Sequence, residues 1–181
     1  FMALPTPFEP VHLLFINLLT DSLPALAIGM EPSDRMLLKE KPRNPKHGIL
    51  TAKTTGLLLW YGGLIAAATL SSFGIGLRTD AATASTMAFA TLSLARLFHG
   101  FNCRSERPLR EIGISSNKWS IAAFGTGVAL LALVLFVPFL EKLFLVAPLT
   151  GTQVGTIGLL ALAPTVIIQI GKEIRHCRHG R

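Results

Sequence analysis

Five long apolar runs, separated by short polar segments, constrain this chain more than any other feature. A bilayer span needs roughly 20 mostly apolar residues. The runs cover residues 11–30, 55–77, 81–103, 119–140 and 150–171. The first is interrupted by Asn17, Asp21 and Pro24, and the third by Arg96 and His99, while the other three carry no charge. The fourth opens with Trp119, an aromatic suited to the membrane interface. The first run lacks the basic leader and small-residue cleavage site of a signal peptide. Only 15% of the residues are charged, against about 25% in soluble domains. That is too little charge to cover a soluble surface of this size. Abundant apolar residues exclude a disordered chain, and two cysteines, Cys103 and Cys177, exclude a disulfide scaffold. The expected fold is all-α: an integral membrane helical bundle of five transmembrane helices, forming one domain over residues 1–181.

The net charge of +7 is not spread evenly. Arg35, Lys39, Lys41, Arg43, Lys46 and Lys53 follow the first run. Arg104, Arg107, Arg110 and Lys118 follow the third, and Lys172, Arg175, Arg178 and Arg181 follow the fifth. The opposite side holds only Arg78 and Lys142. Basic residues mark the cytoplasmic side of a membrane protein. The expected topology therefore has its N-terminus outside and its C-terminus in the cytoplasm. No nucleic-acid partner is expected, because the basic residues lie in three short segments without interleaved aromatics. The lipid bilayer, with its anionic headgroups, is the expected partner of these segments.

The first run carries the chemistry. Asn17 and Asp21 are four residues apart and share a face of a regular helix. Pro24 cannot donate a backbone bond, and its ring clashes with the Thr20 carbonyl. A helix broken here offers an amide oxygen, a carboxylate, a hydroxyl and a free carbonyl within about one turn. Hard cations take such oxygens, and calcium takes 6–8 of them. Broken helices near mid-membrane recur as ion sites. The bland alternative for Asn17 taken alone is a hydrogen bond to a neighbouring helix. An intramembrane carboxylate such as Asp21 is costly and therefore usually functional.

The stretch INLLTDSLPALAIGMEPSD, residues 16–34, resembles the sixth transmembrane helix of P-type cation-pumping ATPases, in the calcium-pump branch. ALPTPFEPVHLLF before it and PRNPKHGILT after it are similar to the loops flanking that helix. TMAFATLSLARLFHGFNCRSE, residues 86–106, resembles the eighth helix. The resemblance implies that the five spans are helices six to ten of a ten-span pump. It further implies that Asn17 and Asp21 coordinate the transported ion, Ca2+, with Thr20 contributing more weakly. Remaining ligands would come from helices four and five, and ATP and Mg2+ would bind in the full-length pump only. Ser22 replaces a glycine usual in the sarcoplasmic reticulum calcium pump.

Arg96 is the most informative departure. On the resemblance, it stands where that pump places a glutamate serving a second ion. Arginine has five donors and no acceptor, so it cannot ligate a cation. The expectation is that Arg96 fills the second site and leaves one calcium per cycle. The bland alternative is snorkelling to the cytoplasmic edge. Arg96 lies seven residues before Cys103, about 10 Å below the exit at 1.5 Å per residue, which is deep for that.

Other features read as structural. Gly62, Gly63, Gly74 and Gly76 suit close helix packing, which in the family involves the fifth helix. Pro138, Pro148 and Pro164 should kink or end helices. His176, Cys177 and His179 form a short tract with little claim to a metal. No DKTGT phosphorylation motif is present, and the chain opens at Phe1 in a partial loop. It is therefore expected to be a fragment, inactive by itself, of a pump whose other helices and cytoplasmic domains are its partners. The expected location is a bacterial plasma membrane. Two rivals remain: a P-type pump for Na+, Mn2+ or H+, and a secondary transporter or structural bundle.

Overall fold

The computed structural model describes residues 5–32, 51–105 and 107–179, with backbone only for Lys53, Arg178 and His179. The basic stretch from Arg35 to Lys46, the PRNPKHGIL segment and Arg181 lie outside the described residues. The described residues are helical throughout, with short connections.

The first apolar run forms one helix of 20 residues, Pro10–Gly29. It consists of α1 (Pro10–Phe15), a π-helical turn (Ile16–Thr20) and α2 (Ser22–Gly29). Next come α3 (Ala52–Gly76) and α4 (Ala81–Asn102). The short α5 (Leu109–Ile112) and a 3-10 turn (Ile114–Ser116) lead to α6 (Lys118–Phe136), α7 (Pro138–Phe144) and α8 (Gly151–His179).

Among the described residues, four helices are long and apolar enough to cross a membrane: Pro10–Gly29, Thr54–Gly76, Lys118–Phe136 and Gly151–Cys177. The remaining expected span, α4, has sufficient length at 22 residues but is built largely from Ala, Ser and Thr. Its position explains its composition. It packs against α2, α3, α6 and α8, and Ala84, Met87, Ala88, Phe89, Ala90 and Ala95 are fully buried. A helix enclosed by other helices meets little lipid, and small residues let its neighbours approach closely.

The hydroxyls of α4 are mostly satisfied inside the bundle. Thr91 donates to Ser72 of α3 at 2.7 Å, and Ser72 donates to the Met87 carbonyl at 3.2 Å. Thr86 donates to the Ala82 carbonyl and accepts the Ala147 N–H at 2.8 Å. Asp80 caps the helix, accepting from the Thr83 N–H at 2.7 Å and its hydroxyl at 2.8 Å.

One proline ends a helix, and another lies within one. The residue before a proline is pushed out of the helical region. Val137 is extended accordingly, so α6 stops at Phe136 and Pro138 begins α7. The fourth expected run, which extended to residue 140, is thereby divided. Pro164 sits inside α8 without ending it. That helix runs on to His179, so much of the basic segment expected as a tail is helical.

At one end of the bundle, His12 is fully buried and stacks on Phe89 with centroids 4.4 Å apart. Its Nε2 lies 2.7 Å from the Phe144 carbonyl, and Nδ1 accepts the Glu9 N–H. At the other end, the Lys172 ammonium donates to the carbonyls of Asn102 and Ser105, each at 2.6 Å. These contacts fasten α8 to the last turn of α4.

Glycine is required where α3 turns into α4. A Cβ on Gly76 would lie 2.5 Å from the Ala84 Cα, whereas one on Gly74 meets nothing within 4 Å. Gly62 and Gly63 are equally open. Gly76→Ala should therefore lower the thermal midpoint in detergent, by an overpacking cost of about 1–3 kcal/mol. Gly74→Ala should be neutral or mildly stabilising, since alanine favours the helix.

Candidate functional site

Pro24 has no N–H to offer the Thr20 carbonyl, and the chain accommodates this one turn earlier. Across Ile16–Thr20 the helix widens into a π-turn. The Asp21 N–H bonds the Ile16 carbonyl, five residues back, at 3.2 Å. The α-helix restarts with the Ala25 N–H bonding the Asp21 carbonyl at 3.2 Å. Such single-turn π insertions are frequent at functional sites. The helix is thus re-registered around Asp21 rather than unwound into an extended break.

The Thr20 hydroxyl turns back along its own helix, donating to the Ile16 carbonyl at 2.7 Å. The Asp21 carboxylate projects towards α4 and meets the Arg96 guanidinium at 2.9 Å. Arg96 therefore does not run along its helix to the edge of the bundle. The two side chains remain 38% and 36% exposed, because they open onto a groove of about 740 Å³. This groove runs between α2, α3 and α4, from Phe8 at one end to Cys103 at the other. Its walls include Ile65, Leu70 and Leu92, with Tyr61 and His99 as further polar lining. Opposite charges set in apolar surroundings pair with each other, because neither is well solvated there.

The structure thus gathers Thr20, Asp21, Pro24 and Arg96 at one place. It does not bring Asn17 to the groove. Asn17 is exposed and is not among the residues lining the groove. Among the described residues no three His, Cys, Asp or Glu side chains are grouped to hold a metal. Asp21 offers one carboxylate where calcium would want 6–8 oxygens. In the expected His/Cys tract, His176 pairs with Glu111 at 2.6 Å and Cys177 is exposed.

A second charged cluster closes the end of α2, and the sequence did not signal it. Glu31 receives both a 3.0 Å bond from Arg104 Nε and a 2.7 Å bond from Nη2. Asn117 donates to the same carboxylate at 2.7 Å. The Arg104 hydrogen bonds, foremost, hold the Glu31 carboxyl below its ordinary value. In the sequence Arg104 counted only as a topological charge. The faint signals were an acid directly after the first run and Asn117 in a capping position before Trp119.

The family model described as "Cation transporting ATPase, C-terminus" matches residues 5–174. The calcium-transporting ATPase of Bacillus subtilis is 37% identical over 92% of this chain and 19% of its own length. Calcium-transporting ATPase 1 of Bacillus cereus is 34% identical over 92% of this chain and 21% of its own length. The human calcium-transporting ATPase type 2C member 1 is 28% identical over 98% of this chain and 20% of its own. The chain spans about a fifth of the length of the curated relatives it matches.

A lowered carboxyl value fixes the sign of a pH effect. The stabilisation is present above the ordinary glutamate value of 4.5 and is lost as pH falls towards the folded value. Thermal midpoints measured from pH 7 downwards should therefore fall more steeply in the parent chain than in Glu31→Gln. The two curves should converge at the acid end.

Proposed function

Since the chain belongs to the family of cation-transporting ATPase C-terminal domains, we propose that it forms the last five transmembrane helices of a P-type pump exporting Ca2+ from the cytoplasm. In this reading α4 is a span despite its polarity, because the other helices shield it from lipid. The end of the bundle bearing Glu31, Arg104 and Lys172 faces the cytoplasm, and the end bearing His12 faces outside. ATP, Mg2+ and the phosphorylated aspartate belong to the remainder of the pump.

The observation that carries the reading is the placement of Asp21. It sits midway along an apolar helix, at a π-turn, beside an open groove and 2.9 Å from a single cationic partner. A carboxylate so placed can exchange its arginine partner for a metal cation. Asp21 and Asn17 then contribute oxygens to one calcium ion, with Thr20 a weaker contributor once its hydroxyl leaves the Ile16 carbonyl. Helices from the remainder of the pump supply the other ligands along the groove. Arg96 fills the position of a second ion, so one calcium moves per cycle.

In the full-length pump, ATPase activity should rise with free calcium and fall to background in Asp21→Asn, with the variant still eluting as a folded species in detergent. Activity indifferent to both calcium and the substitution would sink the proposal. A normal response to sodium or manganese instead of calcium would reassign the cargo.

A further inference from the structure

The cluster around Arg104 is built to completion. The Arg104 side chain is 0% exposed, and all five of its N–H donors have acceptors. Nε and Nη2 hold the two Glu31 oxygens. Nη2 also reaches the Ser116 hydroxyl at 2.6 Å, and Nη1 reaches the carbonyls of Gly113 and Ile114, each at 3.2 Å. Asn117 completes it, donating to the Ala27 carbonyl of α2 at 2.9 Å and to Glu31 at 2.7 Å. Its own carbonyl oxygen caps α6 through the N–H groups of Trp119 and Ser120. One guanidinium thus joins the ends of α2 and α4 to the connection leading into α6. Buried arginine forks of this kind fix geometry as well as charge.

These bonds lie on the same pair of helices as Asp21 and Arg96. Helices α2 and α4 run side by side in the same direction and touch at three levels. Asp21 meets Arg96, Pro24 meets Gly100, and Glu31 meets Arg104. The middle contact is tight, since a Cβ on Gly100 would lie 3.0 Å from the Pro24 Cβ. Upstream of α2 is the π-turn, a place where the helix ladder is already altered. Downstream is a fully bonded anchor. The eight residues of α2 form a lever of about 12 Å between them. A tilt of about 5° at the anchored end would displace Asp21 by about 1 Å, whereas a binding constellation must be held within about 0.5 Å.

We propose that Glu31, Arg104 and Asn117 form a positioning unit that sets the register of Asp21 against Arg96, and thereby the calcium affinity of the pump. None of the three touches the ion. This rests on the reading of Asp21 as an ion ligand, and the test separates the two.

The test uses the full-length pump and compares Glu31→Gln, Arg104→Lys and Asp21→Asn by calcium-dependent ATPase. Glu31→Gln and Arg104→Lys should raise half-maximal calcium about threefold or more, with maximal turnover within about twofold of the parent. In an Arg96→Met background the shift caused by Glu31→Gln should shrink markedly, because the register it sets no longer has a partner. A purely structural role would give the same shift in both backgrounds, and that result overturns the proposal, as does unchanged half-maximal calcium. If Glu31→Gln does not fold, Glu31→Asp and Arg104→Lys carry the same expectation, and loss of folding in all three overturns it. If calcium dependence survives Asp21→Asn, the site reading fails and the positioning role falls with it. If Asp21→Asn abolishes calcium dependence while the Glu31 and Arg104 variants leave calcium affinity unchanged, only the positioning role fails.

Discussion

The burial of α4 is the constraint on which the rest of the structure depends. This helix carries buried serines and threonines, and it is covered by α2, α3, α6 and α8. Lipid cannot satisfy such groups, so other helices must enclose them. Exposed leucines such as Leu26, Leu59 and Leu159 then face outwards from the bundle. The apolar runs are the cover, and the least apolar helix is what they cover. Polar bonds inside, such as Thr91 to Ser72, fix how α3 and α4 sit against each other.

At the edge of that enclosure, open to the groove, the Asp21–Arg96 pair is a balanced charge. One negative and one positive group lie 2.9 Å apart beside an apolar groove. A divalent cation reaching Asp21 must compete with the guanidinium already there. Because arginine stays protonated at any relevant pH, its charge cannot be removed by proton loss. Arg96 must move aside or remain as a fixed positive neighbour, and where it remains its charge opposes a second cation nearby. Just after the π-turn the Asp21 carboxylate reaches Arg96 of α4, while α2 continues as a regular helix.

Much of this was legible in the sequence because it depends on local composition. The apolar runs placed the starts of the long helices to within about three residues, though α8 runs on to His179, and Pro138 ended α6 through its effect on Val137. Asp21, Pro24 and Arg96 stood out individually because each is costly where it occurs. The pairing of Asp21 with Arg96 was less legible, since helix contacts between distant segments decide it. Pro24 signalled a disturbance, but whether the chain unwinds or takes a π-turn depends on packing around Ile16 and Thr20, both buried. Asn17, four residues before Asp21, does not line the groove. Glu31, Arg104 and Asn117 passed as ordinary loop residues because nothing local marks three groups that meet only when α2, α4 and α6 converge.

The most direct measurement is the number of calcium ions moved per ATP hydrolysed by the full-length pump in sealed vesicles. If Arg96, paired to Asp21, stands in place of a second ion as proposed, the ratio should be one. A ratio of two would contradict the account, because a guanidinium at that position leaves no ligand set for the second ion.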